Sequence, residues 1–191
     1  MRVALRMLER GEYDAIQMRD VAEEADVALG TVYRYFTSKE HLFAAVLVEW
    51  SQSLQHRVQS SPLVGRTIPE QLDDLMIRVI QGFERLPQFF RLMVVIETTP
   101  DPHARELFAE SVGLTHSTFS EPLEVLSDDD ARAVLEVLTA VLGALLRAWA
   151  LGVFTTDDVR TRMSRTIRLI FSPAPAPAAR SRRRPVAAAG D

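Results

Sequence analysis

The sequence predicts an all-α protein, with a three-helix helix-turn-helix domain at the N-terminus and a larger helical bundle after it. Apolar residues recur three and four positions apart through most of the chain, which is the spacing of one face of an α-helix. No segment alternates apolar and polar residues between turn signals, as a half-buried strand would. We therefore divide the 191 residues into a helix-turn-helix domain at 1–48, a helical bundle at 49–171 and a disordered tail at 172–191.

Three short helices are predicted in the N-terminal domain. Asp26 follows the second of them, and aspartate tolerates the left-handed conformation that a tight turn needs. In the third helix Val32 and Phe36 lie four positions apart, so both side chains can fill the angle between two helices. The positions between them remain available on the outside. The predicted ranges are Arg2–Leu8, Met18–Ala25 and 29–36.

Six further helices are predicted beyond Thr37. Ser38 is a good N-cap for the first of them, and Thr156 is expected to cap the last. The stretch that begins at Asp129 is apolar on most sides, so we expect it to be buried on two faces. The Pro/Ala/Arg composition from Ser172 onward cannot bury a core and predicts disorder. The predicted ranges are Lys39 to about Val58, Pro69–Leu86, 89–97, His103–Phe119, Asp129–Gly152 and Thr156–Phe171.

Composition excludes several kinds of chemistry. The chain contains no cysteine, so disulfides, thiolate metal sites and cysteine nucleophiles are absent. Its histidines lack the spacing of metal ligands, and we expect no metal and no cofactor. The apolar stretch Val134–Leu146 is short and interrupted, and the N-terminus shows no signal-peptide pattern. We therefore expect a cytoplasmic protein with no membrane segment.

The charge balance does not by itself indicate a nucleic-acid binder. The net charge is −4, and residues 1–60 carry seven cations against nine carboxylates. Affinity for a phosphate backbone is largely electrostatic, so any such binding by this chain must depend on where a few cations lie. Lys39 is the only lysine among the 22 cations.

The segment 13–42 resembles the DNA-binding domain of TetR-family transcriptional regulators. The family pattern is a short helix with an A-x-x-A core, a tight turn, and then G-T-[LV]-Y-x-Y-F-x-[SG]-K-x-x-L. The chain departs from it in the turn, where Asp26 replaces the usual glycine and Ala28 replaces a common hydroxyl residue. The matching residues are Ala22, Ala25, Val27, Gly30, Thr31, Val32, Tyr33, Tyr35, Phe36, Ser38, Lys39 and Leu42.

The resemblance implies that the third helix enters the DNA major groove. Small residues at its start let the backbone approach the base edges, and hydroxyls and cations around it can reach phosphates. Tyr33 is as well suited to packing in the domain core, and Arg19 and Arg34 are also compatible with solvated surface charges. The candidate DNA-binding residues are Arg19, Ala28, Leu29, Gly30, Thr31, Tyr33, Arg34, Tyr35 and Lys39.

The resemblance further implies a ligand-responsive regulator, most simply a repressor, that binds a palindromic operator on double-stranded DNA as a homodimer. The last two long helices are the best candidates for the dimer interface, because one of them is too apolar to face water. A small, largely apolar effector is expected among the middle helices, where bulky side chains cluster. The candidate effector-binding residues are Met76, Phe83, Phe90, Met93, Phe108, Phe119, Leu142 and Trp149.

Three alternatives concern what the second half binds. Within the family the N-terminal segment is most similar to the branch that represses sterol catabolism, which implies a lipid or steroid CoA thioester as effector; its anionic head group would need cations such as Arg91, Arg105 and Arg147. A drug-efflux regulator would instead place Glu84 or Glu97 in the pocket. A helical-bundle enzyme would need a nucleophile, an acid pair or a metal set, and the apolar half shows none.

Overall fold

The computed structural model describes residues 1–172, so nearly all of the tail predicted at 172–191 lies outside the described residues. Within residues 1–172 the chain forms helices and no strand, which confirms the all-α prediction. Two short 3₁₀ turns, at Tyr13–Ala15 and Glu121–Leu123, were not anticipated. The helices are α1 (Arg2–Arg10), α2 (Met18–Glu24), α3 (Leu29–Tyr35), α4 (Lys39–Gln59), α5 (Ile68–Arg85), α6 (Pro87–Glu97), α7 (Pro102–Thr118), α8 (Asp128–Ala150) and α9 (Thr156–Ile170).

The helix starts follow from local capping chemistry. The Ser38 hydroxyl accepts a hydrogen bond from the His41 amide at 2.9 Å and so caps α4 as predicted. The cap of α9 is Thr155, one residue earlier than predicted, because Thr155 forms a reciprocal capping box with Asp158. Helix α6 begins at Pro87 itself, since proline fits the first position of a helix, where the missing N–H costs nothing.

The N-terminal head consists of α1 to α3 packed against the start of α4. Its core is built from side chains that are at most 8% exposed, among them Leu8, Val21, Val32 and Phe43. The turn between α2 and α3 is closed by Asp26 with φ of 54°, the left-handed conformation predicted for it. This turn sets the angle at which α3 lies across α2.

Helix α4 continues from the head into the bundle, where it packs most extensively against α7. Helices α5 and α9 pack together, α8 lies on α9 and α6, and α6 also contacts α4, α5 and α7. Phe89, Phe119 and Leu72 are fully buried in the core of the bundle. A single hydrophobic core thus runs from the head into the bundle around α4.

Helix α8 is more exposed than the sequence suggested. It is continuous over 23 residues, and its most apolar stretch has a mean hydropathy of 1.7, so length and composition alone would let it cross a membrane. By length and composition, the prediction that this region is too short and too interrupted to span a bilayer is therefore wrong. Only 17% of that stretch is buried within the chain, so this chain by itself does not bury the two faces that were expected to be buried.

Candidate nucleic-acid interface and effector cavity

Helix α3 turns one side into the head and leaves the other side free. Val32 is only 8% exposed and anchors the helix, whereas Tyr33 and Tyr35 are 50% and 65% exposed. The alternative in which the Tyr33 ring packs in the core is therefore wrong for this structure. Leu29 is 38% exposed, and the face offers both apolar and hydroxyl groups to a partner.

The start of α3 lacks the side-chain cap that most helices have. Ala28 occupies the N-cap position, and only its carbonyl takes part, accepting hydrogen bonds from the amides of Thr31 at 2.8 Å and Val32 at 3.4 Å. Serine or threonine at this position would accept an N–H bond with its hydroxyl. The backbone of the first turn of α3 is therefore not covered by a capping side chain.

Gly30 has no packing role in the described structure. A Cβ atom added there would meet no other atom within 4 Å, and its φ lies outside the left-handed range. Glycine inside a helix lowers the stability of the protein by about 0.5–1 kcal/mol relative to alanine. The fold thus gives no reason for a glycine at the outer surface of α3, whereas a close approach of another molecule would.

Two arginines flank this face without being tied into the fold. The side chain of Arg19 is 74% exposed and only 4.0 Å from Asp20. Arg34 lies on α3, donating from Nη2 to the Tyr35 hydroxyl at 3.5 Å and placing its guanidinium 5.2 Å from the ring centroid. Contacts of this length at the surface are weak, so both guanidinium groups are available to phosphates or bases.

Lys39 differs from the two arginines because its hydrogen-bond partner is close. Its Nζ donates to the Tyr13 carbonyl at 2.6 Å and sits 4.0 Å from the centre of the Tyr13 ring. Tyr13 in turn donates to Glu40 at 3.0 Å. Burial lowers the pKa of the Lys39 ammonium, partly offset by the charges of Asp14 and Glu40. Lys39 therefore braces the 3₁₀ turn against α4.

An open-mouthed cavity of about 370 Å³ lies in the bundle. Of the eight residues expected to bind an effector, five line it: Phe83, Phe90, Met93, Phe108 and Leu142. The other three do not. Met76 and Phe119 are fully buried core residues, and Trp149 faces a separate small gap beside α9.

Helix α4 contributes a wall of the cavity that was not predicted. Trp50, Ser51, Leu54 and Gln55 all line the cavity, although none of them was among the candidate effector-binding residues. Trp50 and Leu54 lie four positions apart on one face, a signal that was present in the sequence. Helix α4 begins in the head, so one helix contributes both to the head and to a wall of the cavity.

Polar groups around the cavity are mostly uncharged or paired. Glu97 lines it, but accepts a hydrogen bond from Arg147 at 3.0 Å. Glu84 lies outside the cavity and pairs with Arg160 at 2.8 Å. The other polar lining residues are Ser51, Gln55, Thr115, His116, Thr118, Glu136 and Thr139. The cavity therefore offers several hydrogen-bonding groups, and Glu136 is its lining carboxylate with no ion pair within residues 1–172.

A second space of about 310 Å³ lies on the other side of Leu54, whose side chain lines both spaces. Arg57, Arg78 and Arg85 line this second space and no carboxylate does. Arg78 is bound to the carbonyls of Val58, Ser61 and Pro62 and to Asp74. Arg57 and Arg85 occupy the last turns of α4 and α5, where cations also stabilise a helix end.

The three arginines considered for an anionic head group lie elsewhere. Arg91 pairs with Glu12 of the head, Arg147 pairs with Glu97, and Arg105 is exposed on α7. Within residues 1–172 no group of three His, Asp or Glu side chains is arranged to hold a metal ion. His103 stacks on His41.

The brace at Lys39 predicts an effect on stability that an exposed cation would not have. Replacing Lys39 with methionine keeps the aliphatic stem but removes the ammonium from the Tyr13 carbonyl. We expect the free energy of unfolding to fall by about 1–2 kcal/mol, the lower part of the range for a hydrogen bond to a charged group, since Lys39 is partly exposed. Urea unfolding followed by circular dichroism measures this change. The exposed Arg66 is the control, and a Lys39→Met effect no larger than that of Arg66→Met would refute the brace.

Family models match both parts of the chain. One, described as bacterial regulatory proteins of the tetR family, matches residues 1–46, and another, described as a tetracyclin repressor-like C-terminal domain, matches residues 65–170. Two solved structures share the fold. A TetR transcriptional regulator from Rhodococcus sp. RHA1 has a TM-score of 0.77 at 20% identity and covers 89% of this chain and 92% of its own. FadR from Thermus thermophilus, a repressor in complex with lauroyl-CoA, has a TM-score of 0.67 at 23% identity, with coverages of 93% and 97%.

The chain is also similar to curated transcriptional repressors. It is 30% identical over 168 residues to the HTH-type transcriptional repressor KstR of Rhodococcus jostii, covering 87% of this chain and 78% of the relative. It is 29% identical over 171 residues to KstR of Mycolicibacterium smegmatis, covering 87% and 82%. These are DNA-binding regulators and not enzymes. The chain belongs to the TetR family of bacterial transcriptional regulators, in its KstR-like branch.

Proposed function

We propose that the chain is a cytoplasmic repressor that binds a palindromic operator as a homodimer and is released by a small, largely apolar effector. The observation that carries this proposal is the free face of α3, which has exposed tyrosines, the available Arg34 and a glycine without a packing role. The exposed Arg19 on α2 adds a second available arginine to the head. A helix with its functional groups turned outward in this way suits the major groove.

We propose that a few specifically positioned groups bind the DNA. Arg19 and Arg34 supply charge, Tyr35 and Thr31 supply hydroxyls for phosphates, and Gly30 lets the helix backbone approach the base edges. Ala28, Leu29 and Tyr33 complete the contact surface. Lys39 contributes chiefly by holding the head together through its hydrogen bond to the Tyr13 carbonyl.

Dimerisation through α8 and α9 is supported by apolar surface that one chain leaves open. Val137 on α8 is 47% exposed, and Leu169 on α9 is 66% exposed. Leu151 and Val153 in the turn between the two helices are 75% and 67% exposed. Only 17% of the most apolar stretch of α8 is buried within the chain, and exposed apolar surface on this scale marks a protein interface. Two heads joined here would bind operator half-sites about one turn of the DNA helix apart.

For the effector we propose a lipid or steroid CoA thioester. The apolar cavity suits the acyl or ring portion, and the arginine-lined space across Leu54 suits the phosphates. Similarity to KstR repressors and the lauroyl-CoA bound to Thermus thermophilus FadR, a protein of the same fold, support this choice. A cationic drug is less well supported, because Glu97 is already paired with Arg147 and Glu84 lies outside the cavity. Within residues 1–172 this leaves Glu136 as the lining carboxylate without an ion pair.

Release follows from the position of α4. Trp50 and Leu54 line the cavity, while Leu42 and Phe43, two turns earlier, are buried in the head. A ligand that prefers a wider cavity would tilt α4 and change the separation of the two heads in the dimer. The factor by which operator affinity then falls is limited by the ratio of the ligand's affinities for the two states of the protein.

The role of Gly30 can be tested by a substitution that should raise stability and lower DNA affinity together. In Gly30→Ala the added methyl group meets open space, so the free energy of unfolding should rise by about 0.5–1 kcal/mol. The same methyl would hold the helix away from the base edges and weaken operator binding by ~10-fold, or about 1.4 kcal/mol. Gel shifts on DNA selected from a random duplex pool measure the affinity.

Gly113 in α7 provides the matched control, because a Cβ added there also meets no atom within 4 Å and it lies far along the chain from α3. Gly113→Ala should raise stability without changing operator affinity. If Gly30→Ala binds operator as tightly as Gly113→Ala does, the close approach of α3 to DNA is wrong. Failure to select any DNA with the wild-type chain would contradict the proposed function itself.

The dimer surface can be tested with one charge. Leu169→Asp places a carboxylate in the proposed interface, and we expect sedimentation velocity to show a monomer. Operator affinity should fall by ~100-fold or more, because the second head no longer binds intramolecularly. Val64→Asp changes an equally exposed residue in the loop before α5 and should leave the dimer intact. A dimeric Leu169→Asp chain would place the interface elsewhere.

The proposed anion site can be tested with a charged ligand and a neutral one. In a chain carrying both Arg57→Gln and Arg85→Gln, lauroyl-CoA should bind ~10-fold more weakly or worse, whereas lauryl alcohol should bind as it does to the wild type. Calorimetry measures both affinities. An equal loss for the two ligands would indicate damage to the cavity, and no loss for lauroyl-CoA would refute the arginine site. No binding of lauroyl-CoA by the wild type would contradict the thioester proposal.

A further inference from the structure

The first turns of α4 and α7 are joined by one carboxylate. Asp101 precedes α7, and its Oδ1 accepts hydrogen bonds from the amides of His103 at 2.9 Å and Ala104 at 3.2 Å, which makes it the N-cap of that helix. Its Oδ2 accepts from the hydroxyls of Ser38 and Thr37 at the start of α4. One side chain therefore serves two helices that begin more than sixty residues apart.

The hydrogen bonds form a chain from cap to cap. Ser38 donates its hydroxyl to Asp101 and at the same time accepts from the His41 amide, so the cap of α4 is bound to the cap of α7. The hydrogen bond from Ser38 is the main cause of a lowered pKa at Asp101. The carboxyl group is therefore ionised at neutral pH, and hydrogen bonds to a carboxylate are stronger than neutral ones.

A pair of stacked rings joins the same two turns. His41 on α4 and His103 on α7 stack with centroids 5.1 Å apart and planes 23° apart. Phe36, the residue that ends α3, meets His41 edge-on at 5.4 Å. His41 also accepts a hydrogen bond from the Thr37 amide at Nδ1. The junction thus extends from the end of α3 to the start of α7.

The other part of α7 forms a wall of the cavity. Phe108, Val112, Thr115 and His116 all line it, beginning two turns after Asp101. Helix α7 has 17 residues and rises about 1.5 Å per residue, so a shift imposed at the cavity is carried along the helix to its first turn. That first turn is the one bound to Ser38.

We propose that Asp101 is a positioning residue that transmits the state of the effector cavity to the DNA-reading head through α7. This inference rests on the proposed function and names the contact by which its two sites communicate. Movement of α7 at the cavity pulls Asp101 relative to Ser38 and Thr37, and the turn that fixes the angle between α3 and α4 moves with them. A competing route runs along α4 itself, whose Trp50 and Leu54 also line the cavity.

The two routes can be separated because serine and aspartate are equally good N-caps. Ser38→Asp keeps a capping oxygen for α4 and leaves Asp101 to cap α7, but it sets two carboxylates against each other with no donor between them. The exchange variant, Ser38→Asp with Asp101→Ser, caps both helices and restores the bond with its direction reversed. Ser38→Thr, which keeps the donor, is the conservative control.

The measurement uses the full chain and operator DNA selected in vitro, and it needs no effector. By linkage, if the cavity helix influences DNA binding, DNA binding influences the cavity helix equally. Hydrogen exchange is followed by mass spectrometry in two segments, 29–35 for direct protection by DNA and 102–118 for the response of α7. Thermal unfolding monitors the stability of each variant.

In the wild type and in Ser38→Thr, we expect DNA to change exchange in 102–118 by about fivefold or more, the lower end of typical coupling between sites. In Ser38→Asp the protection of 29–35 should remain while the response of 102–118 disappears, and the exchange variant should recover it. Protection of 29–35 that remains in Ser38→Asp, read together with its thermal unfolding, separates lost transmission from a simple loss of stability, which would weaken both responses.

Two results would overturn the inference. A response of 102–118 that persists in Ser38→Asp would show that the signal runs along α4. A wild-type chain that binds DNA without any response in 102–118 would show that α7 takes no part. If the wild type selects no DNA, the proposed function fails first and the inference fails with it, which is a distinct outcome.

Discussion

The burial of α4 along its whole length is the constraint on which the rest of the structure depends. In the head, the Tyr13 ring meets Phe43 edge-on at 5.2 Å. In the bundle, Trp50 stacks on Phe89 with centroids 4.6 Å apart and lies 5.0 Å from Phe83. A helix of 21 residues spans about 30 Å, so one stiff element carries both the packing of the head and a wall of the cavity. Neither domain can change its α4 surface without involving the other.

Much of the fold was predictable because its determinants are local. Ser38 caps α4, prolines mark the starts of α5 to α7, and Asp26 adopts the left-handed turn conformation; each of these depends on a few neighbouring residues. The outward face of α3 was predictable for the same reason, since Val32 and Phe36 set its buried side. Helix ends shifted by a residue or two where a reciprocal cap, as at Thr155, prevailed over the nearest candidate.

The details of the sites depend on contacts between distant parts of the chain, and these could not be predicted. The partner of Lys39 is a carbonyl 26 residues earlier, and it points toward the ammonium because of a 3₁₀ turn that no pattern indicated. Residue size predicts burial but not which buried residues face a void. Met76 and Phe119 are as apolar as Phe108, yet they fill the core while Phe108 lines the cavity.

The head is net acidic, and the structure removes Lys39 from the cations that are free to meet a phosphate. What remains near α3 is Arg19 and Arg34, and electrostatic attraction from two charges is modest at physiological salt. Discrimination by such a head depends more on shape and hydrogen bonding at the groove than on charge. A single head of this kind would hold DNA weakly, and the proposed dimer would supply the affinity that one head lacks.

The links between head and bundle are of two kinds, and their difference bears on regulation. The apolar packing of α4 is buried and costly to disturb, since vacating it would leave cavities. The polar links, Asp101 with Ser38 and Glu12 with Arg91, lie near the surface, where water replaces a lost partner at little net cost. Polar links of this kind add little to global stability and can break and re-form without unfolding the chain. The buried helix therefore keeps the two domains attached, while the surface contacts leave their relative orientation free to respond to a ligand.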